Sequence, residues 1–201
     1  MQKQNKGTLS QNDIEQITNA LQNGGVIGFP TDTVWGLGAD PTNEVAIKKI
    51  YDLKKRDGNK PLILMSSDIE YLRPFVLGFC EEEERVIHQF FPGALTLITK
   101  KSKLTPDYVT SGFDTVGIRI PNHPIFAKVA ECSPCKVLAT TSANLSCQPS
   151  ALKKEDVINY FGENLNFVTN DFGYYAENKE STIIKYTNGW HVLRQGVVRI
   201  G

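Results

Sequence analysis

Apolar residues along the chain alternate between a helical spacing and short continuous runs that are typical of strands. After the capping residue Ser10, Ile14, Ile17 and Leu21 recur at helical spacing, and Gly24 follows as a helix stop. Later segments repeat the alternation: helices are predicted at 44–53, after Asp68, at 81–90, after Pro124 and at 155–161, and strands at 26–29, 62–65, 94–99, 115–120, 136–139, 167–169, 181–186, 190–193 and 197–200. This order predicts an α/β fold with some antiparallel pairing in its strand-rich final section.

Composition sets the number of domains. The 201 residues are 40% hydrophobic, which is enough for one well-buried core. No repeat, low-complexity segment or linker-like composition divides the sequence. We therefore predict a single domain over residues 1–201.

Charge and hydropathy remove the simplest membrane and nucleic-acid classes. The 22 basic and 22 acidic residues leave a formal net charge of zero, so bulk electrostatics requires neither an anionic nor a cationic partner. Residues 1–13 are polar, unlike a signal peptide or an anchor. The longest apolar runs fall far short of the roughly 20 residues that span a membrane. The expectation is a cytoplasmic protein without a membrane partner.

Two of the four cysteines have a spacing that invites a metal or redox interpretation. Cys132 and Cys135 form a CxxC pair, as in half a zinc site or a redox dithiol. A structural zinc ion normally takes four ligands, and the sequence has no second CxxC or histidine pair. We therefore predict ordinary reduced thiols and no metal site formed by the protein.

Polar segments at the ends of predicted strands are the candidates for chemistry, because the P-loop, dinucleotide, HExxH and GxSxG signatures are absent. Segment 30–36 follows a strand, where open α/β sheets bind ligands, and 139–146 offers small hydroxyl and amide groups. Segment 54–62 reads as a flexible loop whose arginine and lysines suit a polyphosphate. Each alone has a plainer explanation, as a turn, a helix cap or a balance to the helix dipole. Their joint occurrence favours a ligand site.

Seven short motifs stand in a characteristic order between about residues 25 and 196. They are Pro30-Thr-Asp-Thr-Val-Trp-Gly-Leu-Gly38, Lys54 and Arg56 with Lys60-Pro61-Leu62, Phe91-Pro92-Gly93-Ala-Leu-Thr96, Val116-Gly-Ile-Arg119-Ile-Pro121, Ser142 with Asn144, Ser181-Thr182, and Leu193-Arg194-Gln-Gly196. In this order they resemble the YrdC-like threonylcarbamoyl-AMP synthase family, in its short single-domain form.

The resemblance implies a fold, a reaction and a set of site residues. The expected fold is a twisted, mixed parallel and antiparallel sheet with flanking helices and a concave ligand surface. The expected reaction joins ATP, bicarbonate or CO2 and L-threonine into threonylcarbamoyl-AMP and pyrophosphate. By family likeness the ATP-binding residues are Lys54, Arg56, Lys60, Thr115, Ser142, Asn144, Ser150 and Arg194, and the threonine-binding residues are Thr33, Arg119, Thr140 and Ser181.

The sequence also departs from the family pattern. Trp35 stands for the usual tyrosine, Asp57 for a proline and Cys147 for a glycine, and Met65 occupies a position where a histidine is often found. Segment 170–179 lacks the family's glycine-rich stretch, and the resemblance is to the form for which no extra C-terminal domain is expected.

The expected chemistry needs no covalent nucleophile. Threonine's amine would form a carbamate, and the carbamate oxygen would displace pyrophosphate from the α-phosphorus of ATP. The protein would position the substrates and neutralise phosphate charge, with Mg²⁺ bound mainly by the phosphates. No catalytic residue is assigned, and Asp32 is only a weak candidate for a general base. The product would pass to a tRNA threonylcarbamoyl transferase for N6-threonylcarbamoyladenosine synthesis.

Two other hypotheses stay open at this point. One is a non-catalytic protein of the same fold that binds double-stranded RNA or tRNA, which the neutral net charge disfavours. The other is a paralogue that kept the fold and lost the synthase chemistry. The intact Lys54, Arg56, Ser142 and Asn144 disfavour that hypothesis.

Overall fold

A computed structural model describes residues 7–174 and 176–200. Within these ranges one mixed sheet holds nine strands: β1 (Ile27–Phe29), β2 (Gly36–Ala39), β3 (Ile63–Ser66), β4 (Leu95–Lys100), β5 (Thr115–Arg119), β6 (Val137–Ser142), β7 (Phe167–Val168), β8 (Thr182–Tyr186) and β9 (Trp190–Arg194). Their order is β7-β1-β2-β6-β3-β5-β4-β8-β9. The pairs β1–β7, β3–β5 and β4–β8 are parallel and the others antiparallel, which confirms the predicted mixed α/β sheet.

Seven α-helices connect these strands in the described part of the chain. They are α1 (Gln11–Gln22), α2 (Glu44–Lys54), α3 (Ile69–Leu72), α4 (Glu81–Phe90), α5 (Asp107–Thr110), α6 (Pro124–Glu131) and α7 (Lys154–Phe161). The helix cap predicted at Ser10 is present, in the form of a capping box: the Ser10 hydroxyl accepts from the Asp13 amide at 3.1 Å, and the Asp13 carboxylate accepts from the Ser10 amide at 2.9 Å. The bounds predicted for α4 are confirmed, with its four glutamates at the positive helix N-terminus.

The sheet has two faces with separate apolar cores. Successive strand residues point to opposite faces, so Leu64 joins a large core with α2, α4 and α7, while Met65 joins a smaller one with α1 and α6. The smaller core covers only part of its face. Further along this face the side chains of Ile63, Arg119 and Thr140 border a cleft whose lining residues all lie outside the helices.

One predicted strand is absent and one strand was not predicted. Residues 197–200 form no strand; Val197 instead donates its amide to the Glu180 carbonyl, and the Val198 carbonyl accepts from the Thr182 hydroxyl. No strand was predicted between residues 30 and 43, yet β2 begins at Gly36. A Cβ atom at Gly36 would lie 2.7 Å from the Phe29 ring, so the strand needs glycine where the ring covers it.

The strand β6 also runs three residues further than predicted, to Ser142. Thr140 and Ser142 are therefore strand residues whose neighbours are fixed by register, with Thr140 paired to Gly38 and Ile63. This extension places the polar end of β6 against the middle of the sheet instead of in a loop.

Candidate functional site

A cleft opens on the sheet face that α1 and α6 leave uncovered. Its walls come from segment 31–36, from Arg56 and Pro61, and from the strands β3, β4, β5, β6 and β8, with Arg194 of β9. Most of its polar atoms belong to threonine and serine hydroxyls and to arginine. The cleft therefore combines hydroxyl donors with fixed positive charge.

Arg119 forms the floor of the cleft. Its side chain is only 2% exposed, and it donates from Nε to the Gly93 carbonyl at 3.0 Å. It also donates from Nη1 to Thr33 Oγ1 at 2.8 Å and from Nη2 to Asp32 Oδ1 at 2.5 Å. Burial lowers the pKa of Arg119, and the Asp32 carboxylate opposes that shift. These bonds hold the guanidinium in one orientation, with two N–H groups left for a ligand.

Hydroxyl groups surround Arg119 on both sides. Thr33 lies 3.0 Å from the Thr31 hydroxyl, and the Thr140 hydroxyl donates to the Ile63 carbonyl at 3.2 Å. The Ser181 hydroxyl lies 2.9 Å from that of Thr96. The four residues that the resemblance assigned to threonine, Thr33, Arg119, Thr140 and Ser181, thus all line one cleft.

Lys54 takes a different position from the one predicted, because it is the last residue of α2 and not part of a flexible loop. Its side chain is 1% exposed and donates to the Ser142 carbonyl at 2.5 Å, the Asn144 carbonyl at 2.6 Å and Asn144 Oδ1 at 2.9 Å. Burial, followed by the charge of Arg56, lowers the pKa of Lys54 to about 7, and Glu180 partly opposes this. Lys54 therefore holds the end of β6 and the residues that follow it by hydrogen bonds, without lining the cleft itself.

Arg56 and Lys60 belong to the loop that follows α2. Arg56 is partly buried, lines the cleft, and donates to the Lys60 and Pro61 carbonyls, both at 3.0 Å. Lys60 is exposed and does not line the cleft. Arg56 is therefore a partly desolvated cation at the cleft wall, and this burial lowers its pKa.

Ser142 and Asn144 act as a pair at the end of β6. Ser142 lines the cleft and donates its hydroxyl to Asn144 Oδ1 at 2.7 Å. Asn144 donates to the Gln148 carbonyl at 2.6 Å and lies behind Ser142. The SxN spacing thus closes a local hydrogen-bonded turn that presents Ser142 to the cleft.

Arg194 forms the opposite wall together with a residue that the sequence analysis did not select. Arg194 donates to the Ser181 carbonyl from Nη2 at 2.9 Å and forms an ion pair with Glu180. Glu180 also accepts from the Ser150 hydroxyl at 3.0 Å. An acidic residue directly before the Ser181-Thr182 motif was the available signal, and it was missed because the motif was taken to begin at the serine.

The glycine of the terminal LRxG motif has a steric explanation. A Cβ atom at Gly196 would lie 2.2 Å from the Glu180 carbonyl oxygen, so no larger residue fits there without moving the backbone. The Gly196 amide donates to the Thr182 hydroxyl at 3.0 Å. This close approach fixes the distance between Arg194 and the start of β8.

Thr115 is a predicted site residue that borders a different part of the surface from the cleft. It shares the sheet face of Arg119, since the two residues are four apart on β5. It borders a separate depression with Lys100 and Lys185 instead. Ser150 does not line the cleft either and reaches it only through Glu180.

Metal-binding clusters are absent from the described ranges: no three His, Cys, Asp or Glu side chains are placed to hold an ion. The Cys132 thiol donates to the Lys128 carbonyl and the Cys135 thiol to the Val137 carbonyl, and burial raises the pKa of both thiols. No helix within residues 7–174 and 176–200 is long and apolar enough to cross a membrane.

Comparisons with known proteins agree with this geometry. The family model Sua5/yciO/yrdC, described as "Telomere recombination", matches residues 19–196. The chain belongs to the Sua5/YciO/YrdC family. Threonylcarbamoyl-AMP synthase of Vibrio parahaemolyticus is 34% identical over 186 residues, which cover 92% of this chain and 99% of that protein.

Longer family members share the same domain. Threonylcarbamoyl-AMP synthase of Pyrococcus abyssi is 36% identical over 173 residues, 86% of this chain, and the chain spans about half (50%) of that relative's length. The crystal structure of P. abyssi Sua5 complexed with L-threonine superposes with a TM-score of 0.89 at 33% identity, covering 94% of this chain and 56% of that one. The match confirms the predicted YrdC-like fold.

The departures of this Sua5/YciO/YrdC chain from its family pattern can now be placed. Trp35 is buried. Met65 lines the cleft, so a thioether stands where a histidine is often found in the family. Asp57 accepts from the Asn59 amide at 3.0 Å and closes a turn. Cys147 has a φ of 67°, in the left-handed region that favours the glycine it replaces.

Proposed function

We propose that this chain is an L-threonylcarbamoyl-AMP synthase, an ATP-dependent nucleotidyltransferase that acts in the cytoplasm. The observation that carries the proposal is that one cleft holds arginines in two different settings, one on its floor and two on its walls. Arg119 is buried and surrounded by hydroxyls, whereas Arg56 and Arg194 stand on the walls. The similarity to proteins named threonylcarbamoyl-AMP synthase supports the same proposal.

The hydroxyl-lined floor suits threonine. The free N–H groups of Arg119 bind the carboxylate, because a guanidinium fork recognises carboxylate geometry. Thr33, Thr140 and Ser181 surround that position and offer hydrogen bonds to the amine and the side-chain hydroxyl. The similarity to P. abyssi Sua5, solved in complex with L-threonine, supports threonine as a substrate of this chain.

The cationic walls suit Mg²⁺-ATP as the second substrate. Arg56 and Arg194 bind phosphate oxygens, and Ser142, held by Asn144 and Lys54, adds a hydroxyl. Lys60 is exposed on the same loop as Arg56 and is free to reach the outer phosphates. Thr115 lies further along the face and fits the remote end of the nucleotide.

The reaction then follows from proximity. Threonine's amine attacks the carbon of CO2, a C–N bond forms, and the nitrogen releases a proton to give a carbamate; with bicarbonate the same carbamate forms with loss of water. A carbamate oxygen attacks the α-phosphorus of ATP, a new P–O bond forms, and the bond to pyrophosphate breaks. The protein positions both substrates and stabilises the charge that develops on the leaving phosphates. The product, threonylcarbamoyl-AMP, is passed to a tRNA threonylcarbamoyl transferase.

Mass spectrometry of the reaction with each substrate omitted in turn tests the proposal. The purified chain with Mg²⁺-ATP, L-threonine and bicarbonate should form the adenylate and pyrophosphate without RNA. Serine should replace threonine with a modest loss, because one methyl group is worth about 1–3 kcal/mol in a binding pocket. Absence of an adenylate under every condition, together with tight binding of structured RNA, would replace the synthase by the RNA-binding alternative.

A further inference from the structure

Glu180 is a carboxylate in a cleft whose other charged groups are cationic. It lines the cleft with Arg56, Arg119 and Arg194. In the sequence it lies two residues before the start of β8. Its two oxygens have different partners: Oε1 accepts from the Ser150 hydroxyl at 3.0 Å, and Oε2 pairs with Arg194. Glu180 thereby joins the loop after β6 to the hairpin of β8 and β9.

The ion pair between Glu180 and Arg194 contributes little to the folding free energy. The side chains of Arg194 and Glu180 are 41% and 38% exposed, and ion pairs with such exposure contribute little to folding. A negative charge among phosphate-binding cations would by itself repel a nucleotide. The carboxylate therefore needs a role that outweighs this repulsion.

We propose that Glu180 is a positioning residue for the nucleotide half of the cleft. It acts by holding Arg194 and Ser150 in the orientation that receives ATP. The ion pair fixes Arg194 Nη1 while Ser181 fixes Nε and Nη2, so the guanidinium plane is set from two sides. This inference rests on the proposed function, since it assigns the purpose of Arg194 to ATP.

Positioning and simple charge balance predict opposite results. If Glu180 only balanced the cations of an empty cleft, its removal would strengthen ATP binding. If it orients Arg194 and Ser150, its removal weakens binding, because the arginine and the hydroxyl must be ordered by the ligand. The sign of the change in affinity separates the two.

The experiment measures Mg²⁺-ATP binding by calorimetry for the full chain and five variants: two single changes at Glu180, Arg194→Ala alone, Arg194→Ala combined with Glu180→Ala, and one control. Glu180→Ala should raise Kd about tenfold, and Glu180→Gln should raise it less, because its amide still offers neutral hydrogen bonds. In an Arg194→Ala background, Glu180→Ala should raise Kd only about threefold or less, since the Ser150 contact alone remains. Glu84→Gln is the matched control, because Glu84 pairs with Arg73 at 2.9 Å away from the cleft, and its Kd should equal that of the wild type.

Three outcomes would overturn the proposal: tighter binding by Glu180→Ala, unchanged binding, or equal weakening with and without Arg194. The non-additivity is the readout that a general structural role would not produce. Adenylate formation by the wild type is followed separately by mass spectrometry. If the wild type binds ATP without forming adenylate, the proposed synthase function is refuted, but the binding comparison of the Glu180 and Arg194 variants still tests the role of Glu180. If the wild type does not bind ATP, both the proposed function and the proposed role of Glu180 are refuted.

Discussion

Replacing Asp32 by asparagine tests whether the floor of the cleft is held by a buried ion pair. The Asp32 carboxylate lies 2.5 Å from Arg119 Nη2, with side-chain exposures of 16% and 2%. Asparagine keeps the shape and one acceptor oxygen but removes the charge that compensates the buried guanidinium. We expect the free energy of unfolding to fall.

The size of the loss follows from the burial of the pair. Removing one partner of a fully buried ion pair costs about 3–5 kcal/mol. Asp32 keeps some contact with solvent, and the amide oxygen of asparagine still accepts a hydrogen bond. The expected loss is therefore about 2–3 kcal/mol.

Asp107→Asn is the matched control. It makes the same chemical change in an ion pair with Lys101, but Asp107 is 84% exposed. Its expected cost is at most about 1 kcal/mol. Urea denaturation of both variants at pH 7 gives the two losses, and 1 M NaCl should reduce only the one at Asp107, because salt screens exposed charges.

The same variant has a consequence for substrate use. Asp32→Asn should raise the KM for threonine with little change in the KM for ATP, because Arg119 lies on the floor of the cleft that we propose binds threonine. A loss of stability no larger than that of Asp107→Asn would refute the structural reasoning. A change confined to the KM for ATP would refute the assignment of the floor.

Three further predictions concern other parts of the chain. Arg56→Ala should weaken ATP use tenfold or more, and since Arg56 also holds two loop carbonyls, its thermal midpoint should fall by a few degrees, as kinetics and calorimetry can show. The difference in the free energy of unfolding between the wild type and Lys54→Met should shift in favour of the wild type as pH rises from 7 to 10, by up to about 1.4 kcal/mol per pH unit in urea titrations. The sign follows because, in this pH range, folded Lys54 with its pKa of about 7 has lost a proton that the unfolded chain still holds. Cys132→Ser with Cys135→Ser should leave activity nearly unchanged, and elemental analysis should find no stoichiometric zinc in the reduced wild-type protein.

The sequence predicted most helices and strands because their apolar periodicity is strong. The capping box at Ser10 and the glutamate-rich start of α4 are local signals, and both were confirmed. The failures have a different cause. Strand β2, which begins at Gly36, is set by its pairing with β1 and β6, and residues 197–200 are held by contacts with the start of β8. Neither contact is visible in local patterns.

The candidate site likewise contains residues that the sequence could predict and contacts that it could not. Motif order predicted that Thr33, Arg119, Thr140 and Ser181 belong together, and all four line the cleft. The sequence could not show that Lys54 is buried, because lysines near helix ends are usually solvated. Glu180 directly precedes the Ser181-Thr182 motif, so its position was a sequence signal, but its ion pair with Arg194 is visible only in the structure.

The pairing of cations with distant acceptors explains why the seven motifs occur as a set. Three positively charged side chains each depend on a segment far away in sequence: Lys54 on 142–144, Arg119 on 32–33 and 93, and Arg194 on 180–181. Lys54 and Arg119 are buried, and a buried cation without its acceptors is strongly destabilising. A change in one motif therefore penalises the fold unless its partner motif changes too. The same dependence keeps the cations fixed before any substrate arrives, which is the preorganisation that phosphate and carboxylate binding require. A chain with zero net charge can thus concentrate positive charge in one cleft, because its acidic residues either hold those cations in place or lie elsewhere on the surface.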